Sequence, residues 1–508
     1  MNETKPRKLS REEIANIEIG HTEVGTAQKW ALTLFFLAFI AIYPVCQFCY
    51  RQPFAEWRNT GELKQSIKAY ETAIEDSSLL RKWLLPPIQS ALTCTLRFGN
   101  EKVIIGKNGW LFFSGDCEYL INPGFLRPDV LRKRELKGVQ PDPVRAITDF
   151  DRQLKARGIK LILVPVPNKP MICSEELSGK ASPLQNPSFA EFKKRLEAEG
   201  VTVVDLTDDF AGMRKNGIEP FLKTDTHWTV EGMKTAARRI VTATGEKSRA
   251  PEIRKTVGVT NLGDIAVMLK MPNCERTFPA ETVTLADYGV GTDRNSEVLL
   301  LGDSFANIYS SEALKWGTDG GLAETLGAMR GAPVDAIIRN DAGAFATRQL
   351  LANELLRGHD RLAGKKIVIW EFAIRELANG DWKIIELPQV KTSSGNQTAS
   401  VVPEARTVDA TVLKISAVPR PDSAPYKDHV VSIHIAIDGG DKALVYAVSM
   451  RDNVWTDAAK LRVGDKVKIK LEPWEKRESE FGSWNRSEFD DEELLLLEPL
   501  FGEIVSVK

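Results

Sequence analysis

Short apolar runs recur through the middle of the chain, and segments of helical periodicity separate them. IKLILVPVP (159–167), VTVVDL (201–206), EVLLLGDS (297–304), APVDAII (332–338) and KKIVIWEF (365–372) each read as a buried strand. Helical patterns over 143–157, ending at Gly158, and over 188–199 lie between the first of them. Continuous rather than alternating apolar runs mean burial on both faces, and strands separated by helices of ten or more residues mean crossover connections. The expected fold is therefore α/β, a mainly parallel sheet with helices on both faces. VIIGKNGWLFF (103–113) precedes it and reads as strand, Asn-Gly turn, strand.

The pattern changes after a polar, breaker-rich stretch at 388–404, read as a linker. Beyond it ATVLKISAV, HVVSIHIAI, ALVYAVSM and LRVGDKVKIKL alternate apolar with polar residues, and FGEIVSVK reads as a last strand. This predicts a small β domain over 405–508, an OB-like barrel or a sandwich.

At the other end, residues 30–50 (WALTLFFLAFIAIYPVCQFCY) carry no charge and have the length of a bilayer span, with Trp30, Tyr43 and Tyr50 suited to the interfaces. A transmembrane anchor is expected there, after a tail at 1–29 and before a helical connector at 51–100 whose pattern Pro86 and Pro87 break. Basic residues flank the span almost evenly, so charge does not orient it.

The 68 basic and 69 acidic residues leave a net charge of −1, which gives no electrostatic case for nucleic acid. Cys46 and Cys49 form a CxxC inside the apolar span without a second pair or accompanying histidines, so no metal site is indicated. Cys94, Cys117, Cys173 and Cys274 are left, with disulfide pairing open.

Two segments carry chemistry. LLLGDSF places Ser304 where a strand ends and a helix begins, at the carboxyl edge of the predicted sheet. Ligands bind there, and free N–H groups can stabilise an oxyanion; the plainer reading is that Asp303 or Ser304 caps the helix. KTDTHWTVEG places Asp225 and His227 just before a helix beginning near Thr229. A serine hydroxyl needs a base to take its proton, and the base needs a carboxylate to orient it. Of the five histidines, His21 lies in the tail, His359 at a predicted helix end, and His429 and His434 in the β domain. His227 alone joins a neighbouring carboxylate to a place in the α/β domain.

GKNGWLFF (106–113), DTHWT (225–229), LLGDSFA (300–306) and IVIWEFAIREL (367–377), in that order, resemble the AlgJ/AlgX family of alginate O-acetylation proteins, whose domain is SGNH hydrolase-like. The Asp/His block precedes the serine, as in that family's permuted arrangement. The resemblance implies a three-layer SGNH-like catalytic domain over 101–387, with Ser304 as nucleophile, His227 as base and Asp225 as orienting acid. It further implies O-acetyl transfer to an exported polysaccharide, an acetyl supply from a separate multispanning membrane acyltransferase, a periplasmic domain on an inner-membrane anchor, and no cofactor. An esterase using the same triad and a non-catalytic glycan-binding scaffold are the alternatives. Arg339 and Asn340 after one strand, and Trp370 and Arg375 after another, are candidate substrate contacts; Trp370 reads equally as a sugar-stacking ring or as core, and Arg339 and Asn340 equally as a solvated loop. Lys169 reads as a loop charge and Trp110 as core.

Overall fold

The computed structural model describes residues 78–507 apart from 182, 341–344, 391–404, 422–426, 483, 490–493 and 495–496, together with 10–11, 14, 25–49, 67 and 70–71. The chain divides into two compact units, Met1–Ala91 and Leu92–Lys508.

In the first unit, helices run over Thr26–Cys49 and Leu79–Ala91. The first covers nearly all of the expected anchor and exposes Trp30, Leu34, Phe35 and Phe39. Among the described residues, no helix is long and apolar enough to cross a membrane. Pro86 and Pro87 do not break the connector helix as expected but sit inside it. Each fixes φ near a helical value and forfeits one N–H hydrogen bond. Most of the predicted connector before residue 78 lies outside the described residues, as does 391–404 of the predicted linker.

The second unit opens with a hairpin of β1 (Val103–Ile105) and β2 (Leu111–Phe113). Its turn needs left-handed backbone at Asn108 and Gly109, with φ of 52° and 80°, which is what an Asn-Gly pair supplies. A five-stranded sheet follows from β3 (Lys160–Val166) and β4 (Thr202–Val203), and, after an antiparallel ribbon of β5 (Lys255–Asn261) and β6 (Glu281–Asp287), from β7 (Val298–Gly302), β8 (Asp335–Ile338) and β9 (Ile367–Ala373). The order β4-β3-β9-β7-β8 is parallel throughout, as the apolar runs predicted. In β3 only Lys160 is exposed. The helices Pro143–Lys155 and Ala346–Leu356 bring Phe150 and Arg348 onto Trp370 of β9. The helices Val230–Thr244 and Leu322–Arg330 form the other layer. The β5–β6 ribbon is largely exposed on β5 and carried no buried-strand signal in the sequence.

The C-terminal domain is built from β10 (Arg406–Ile415), β11 (His429–Ile437), β12 (Lys442–Arg451), β13 (Val454–Trp455), β14 (Lys466–Pro473), β15 (Asn485–Ser487) and β16 (Pro499–Val507). Five of these close into a ring, β10-β11-β12-β16-β14 and back to β10, with only β12–β16 parallel. That closure selects the OB-like barrel over the sandwich. Val412, Ile433, Val445 and Ile469 fill its interior. All six cysteines are free.

Candidate active site

β7 delivers Ser304 to the carboxyl edge of the parallel sheet, at the start of a helix of only four residues, Ser304–Asn307. The turn between them is pinned to β9. Asp303 caps the helix by accepting the N–H of Phe305 at 2.8 Å, its other oxygen accepts the N–H of Ala373 at 2.8 Å, and its own N–H donates to Glu371 at 3.0 Å. Gly302 has no room for a side chain, because a Cβ there would lie 2.7 Å from the Cβ of Ala306.

His227 and Asp225 sit on a loop closed by a bridge between Phe221 and Trp228. The Leu222 N–H donates to the His227 carbonyl at 3.1 Å, and the helix behind begins with Thr229 accepting the Gly232 N–H. His227 Nε2 stands 2.8 Å from Ser304 Oγ, and His227 Nδ1 stands 2.6 Å from Asp225 Oδ1. With the ring proton on Nδ1 facing the carboxylate, the Nε2 lone pair is left to accept the serine proton. The loop and the serine turn, far apart in sequence, thus meet in one continuous hydrogen-bonded chain.

Surrounding groups hold this chain rigid. Asp225 Oδ1 also accepts the His227 N–H, and Oδ2 accepts the Asp264 N–H and the Trp316 indole N–H, each at 2.9 Å. Asp264 returns the contact by accepting the Thr226 N–H at 2.7 Å. Glu281 of β6 accepts the N–H groups of Lys223 and Thr224. Gly263 lets that segment approach, since a Cβ would lie 2.3 Å from the Thr224 carbonyl oxygen. Phe305 covers the His227 ring, with centroids 4.8 Å apart.

Burial pushes the Asp225 carboxyl up, but the hydrogen bond and charge of His227 and two backbone N–H groups hold it well below the ordinary range. Burial pulls the His227 imidazole down, and Asp225 more than offsets it, so its pKa lies above the ordinary value. Burial and the Asp225 charge raise Asp264 to about 6. Burial and Asp303 raise Glu371 well above the carboxylate range.

Ser304 opens on a cavity of about 200 Å³. Asn340 and Arg375 border it, as the sequence suggested. The Asn340 oxygen is occupied by Asn307 Nδ2 at 2.9 Å, which leaves its NH2 as the group for a ligand. Arg375 is paired with buried Asp116 at 2.9 Å and lies over the Phe113 ring. The other two candidates lie elsewhere. Arg339 is buried and donates to the carbonyl of Arg486, because the barrel covers the sheet edge where it emerges. Trp370 is 0% exposed among Phe150, Phe372 and Trp382, so it is core and cannot stack on a sugar. Lys169 is no loop charge either. It is fully buried beside Trp110 and Phe112 and donates to the carbonyls of Leu111 and Lys223, tying the Asp225 loop to β2.

Asp225, His227 and Asp264 bring ligand atoms within 4.8 Å of one another, spacing that a metal ion would fit. Each oxygen of Asp225 already accepts two hydrogen bonds, so an ion would have to displace them.

A Ser–His–Asp chain at the carboxyl edge of a parallel sheet is the arrangement of an SGNH-like hydrolase domain. The chain belongs to the family described as SGNH hydrolase-like domain, acetyltransferase AlgX, whose model matches residues 103–374. It is 27% identical over 373 residues to a "Probable alginate O-acetylase AlgJ" of Pseudomonas aeruginosa, covering 66% of this chain and 86% of that one. Identity to the protein of the same name from Pseudomonas fluorescens is 26% over 301 residues, 55% and 69% of the two chains. Among solved structures, the O-acetyltransferase domain of Pseudomonas putida AlgJ is similar at a TM-score of 0.39 and 20% identity, covering 54% of this chain and 92% of that one. Pseudomonas aeruginosa AlgX is similar at 0.38 and 15%, covering 70% and 84%.

Proposed function

We propose that this protein is a serine O-acetyltransferase that acetylates hydroxyls of an exported polysaccharide through an acyl-Ser304 intermediate. The observation that carries the reading is the Ser304–His227–Asp225 chain, at 2.8 and 2.6 Å, opening on a cavity. His227 takes the Ser304 proton as Oγ attacks the donor carbonyl, and gives it to the departing donor group. A glycan hydroxyl then enters, loses its proton to His227 and attacks the acyl carbonyl; the bond from that carbonyl to Ser304 Oγ breaks, and His227 returns the proton to Oγ. The Asn340 NH2, on the lining of the same cavity, donates to the oxyanion in both halves. Asp225 holds the imidazole and stabilises its charged state.

The names of the relatives support alginate as the polysaccharide. The uncharged run at 30–50 supports a single-pass membrane anchor, and the kinship with the AlgJ proteins, not the charge pattern, supports an inner-membrane location with the catalytic domain in the periplasm. A multispanning membrane acyltransferase then supplies acetyl groups from the cytoplasmic side.

The test is to incubate the full chain in detergent with p-nitrophenyl acetate and mannuronate oligosaccharides and to follow both products by mass spectrometry. Acetylated sugar that disappears in Ser304→Ala supports transfer. Acetate alone, whatever acceptor is present, would make the protein an esterase.

A further inference from the structure

The barrel lies beyond residue 374, where the family match ends, yet it reaches the serine. Lys427, Asp428, Trp484 and Asn485 all border the Ser304 cavity, facing Leu314 and Lys315 of the α/β domain. We infer that the barrel supplies one wall of the acyl-acceptor subsite, with Trp484 and Asn485 contacting a hydroxyl-rich glycan chain; this deepens the transferase reading and rests on it.

The wall is fixed in place. Asn485 and Arg486 begin β15, which pairs in parallel with β11, so that Asn485 lies opposite His429. His429 is itself held by Ser449 at 2.6 Å and Ser487 at 3.0 Å. Arg486 is buried over Tyr446 and Trp474, pairs with Glu488 at 2.8 Å, and offers its carbonyl to Arg339 from the α/β domain. Nearer the solvent, Lys315 reaches across to Asp452 of the barrel at 3.1 Å. A site built between two domains needs such anchoring if its contacts are to keep one geometry.

The chemistry of the wall suits a sugar. Asn485 is 3% exposed, and its side-chain oxygen has no hydrogen-bond partner. A buried polar atom without a partner is costly and calls for a cause, and on the lining of a cavity a ligand's hydroxyl is one that fits. A glycan hydroxyl can donate to that oxygen. Trp484 is held edge-on by Phe481 at 4.9 Å, and the Arg451 guanidinium lies 5.4 Å from its ring centre, so the indole presents a set orientation. Sugar rings carry C–H groups on their faces and hydroxyls at their edges, which pairs an aromatic surface with a polar group beside it.

The test uses the full chain with p-nitrophenyl acetate as donor and a mannuronate hexasaccharide as acceptor. Trp484→Ala and Asn485→Ala should each raise the acceptor KM about tenfold while kcat at saturating acceptor changes little. Lys460→Ala, an exposed barrel residue far along the chain from the wall, serves as the control and should leave KM unchanged. An unchanged KM in both wall variants overturns the inference. If the wild type transfers nothing to this acceptor, the transferase reading fails, and calorimetric binding still decides the wall. Hexasaccharide should then bind Ser304→Ala about tenfold more tightly than it binds the Ser304→Ala, Trp484→Ala double variant. Equal affinity, or no binding to Ser304→Ala, overturns the wall as a glycan site.

Discussion

Trp316 donates its indole N–H to Asp225 at 2.9 Å across 91 residues of sequence, and so completes the ring of donors around the carboxylate. His227 approaches the opposite oxygen. The indole thus fixes the plane of the carboxylate, and the carboxylate fixes the imidazole. Trp316→Phe retains most of the buried ring but removes that donor. A charged, buried oxygen that loses a partner costs about 1–3 kcal/mol. The expected outcome is a fall in kcat of about tenfold or more, with acceptor KM little changed. Steady-state kinetics alongside a urea melt check it, and an unaltered kcat would show that Asp225 needs no such brace.

Asp264 predicts a shift in the pH profile. Its oxygen Oδ2 lies 3.9 Å from His227 Nδ1, and its charge helps to raise the imidazole pKa. Only neutral His227 can take the serine proton, so activity rises with pH through the His227 pKa. Asp264→Asn removes that charge while leaving an oxygen to accept the Thr226 N–H. The acid limb of kcat/KM should therefore move to lower pH. Stability follows linkage. The raised His227 pKa contributes stability that is fully present below its unfolded value of about 6.5 and lost as pH rises through the folded value. Asp264, raised to about 6, contributes stability present below its unfolded value of about 3.9 and lost on the way up to about 6. Asp264→Asn should accordingly lose less stability than wild type between those two values. An acid limb that stays in place or moves upward contradicts the argument.

What the sequence made legible follows from how local each signal is. The five parallel strands announce themselves as continuous apolar runs, and Asn108–Gly109 specifies its own turn. Ser304 and the Asp225/His227 pair each sit at an element boundary with a recognisable pattern, so their meeting was foreseeable from motif order. Trp316 and Asp264 left no such mark, because what they do depends on loops packed beside Asp225 and not on their own neighbours in the chain. Arg339 was misplaced for a related reason. Its position after β8 is the right kind of place for a ligand, but the barrel arrives from residues 485–488 and covers it. Lys169 was dismissed because a lysine after a strand is usually solvated, whereas here two carbonyls and two aromatic rings receive its head group.

Trp370 gives a prediction that separates core from substrate contact. It is fully enclosed, with Arg348 4.7 Å from its ring centre and Trp382 packed against it. Trp370→Ala should cost about 3–5 kcal/mol of stability through the cavity it leaves. In the fraction that remains folded, acceptor KM should match wild type. Denaturant unfolding and acceptor titration on the same preparation check both halves. A raised KM in a protein of undiminished stability would return Trp370 to the substrate site.

Glu371 supplies the sharpest contrast between two substitutions. It is buried behind Ser304, and burial together with the Asp303 charge raises its pKa well above the ordinary carboxylate value, which favours the neutral form. Its oxygen accepts the Asp303 N–H at 3.0 Å, and Asp303 in turn caps the turn that carries the serine. A neutral carboxyl and an amide are nearly the same shape, and each offers one acceptor and one donating side. Glu371→Gln should therefore stay within about 1 kcal/mol of wild-type stability and keep kcat within about threefold. Glu371→Leu keeps the bulk but leaves the Asp303 N–H unpaired beside a carboxylate, which should cost about 1–3 kcal/mol. Because the turn then loses one of its ties to β9, kcat should fall about tenfold as Ser304 Oγ drifts from His227. Unfolding curves and kcat for the two variants decide the matter. If Gln proves as damaging as Leu, Glu371 acts as a charged group, and the serine turn is held by electrostatics and not by this neutral hydrogen bond.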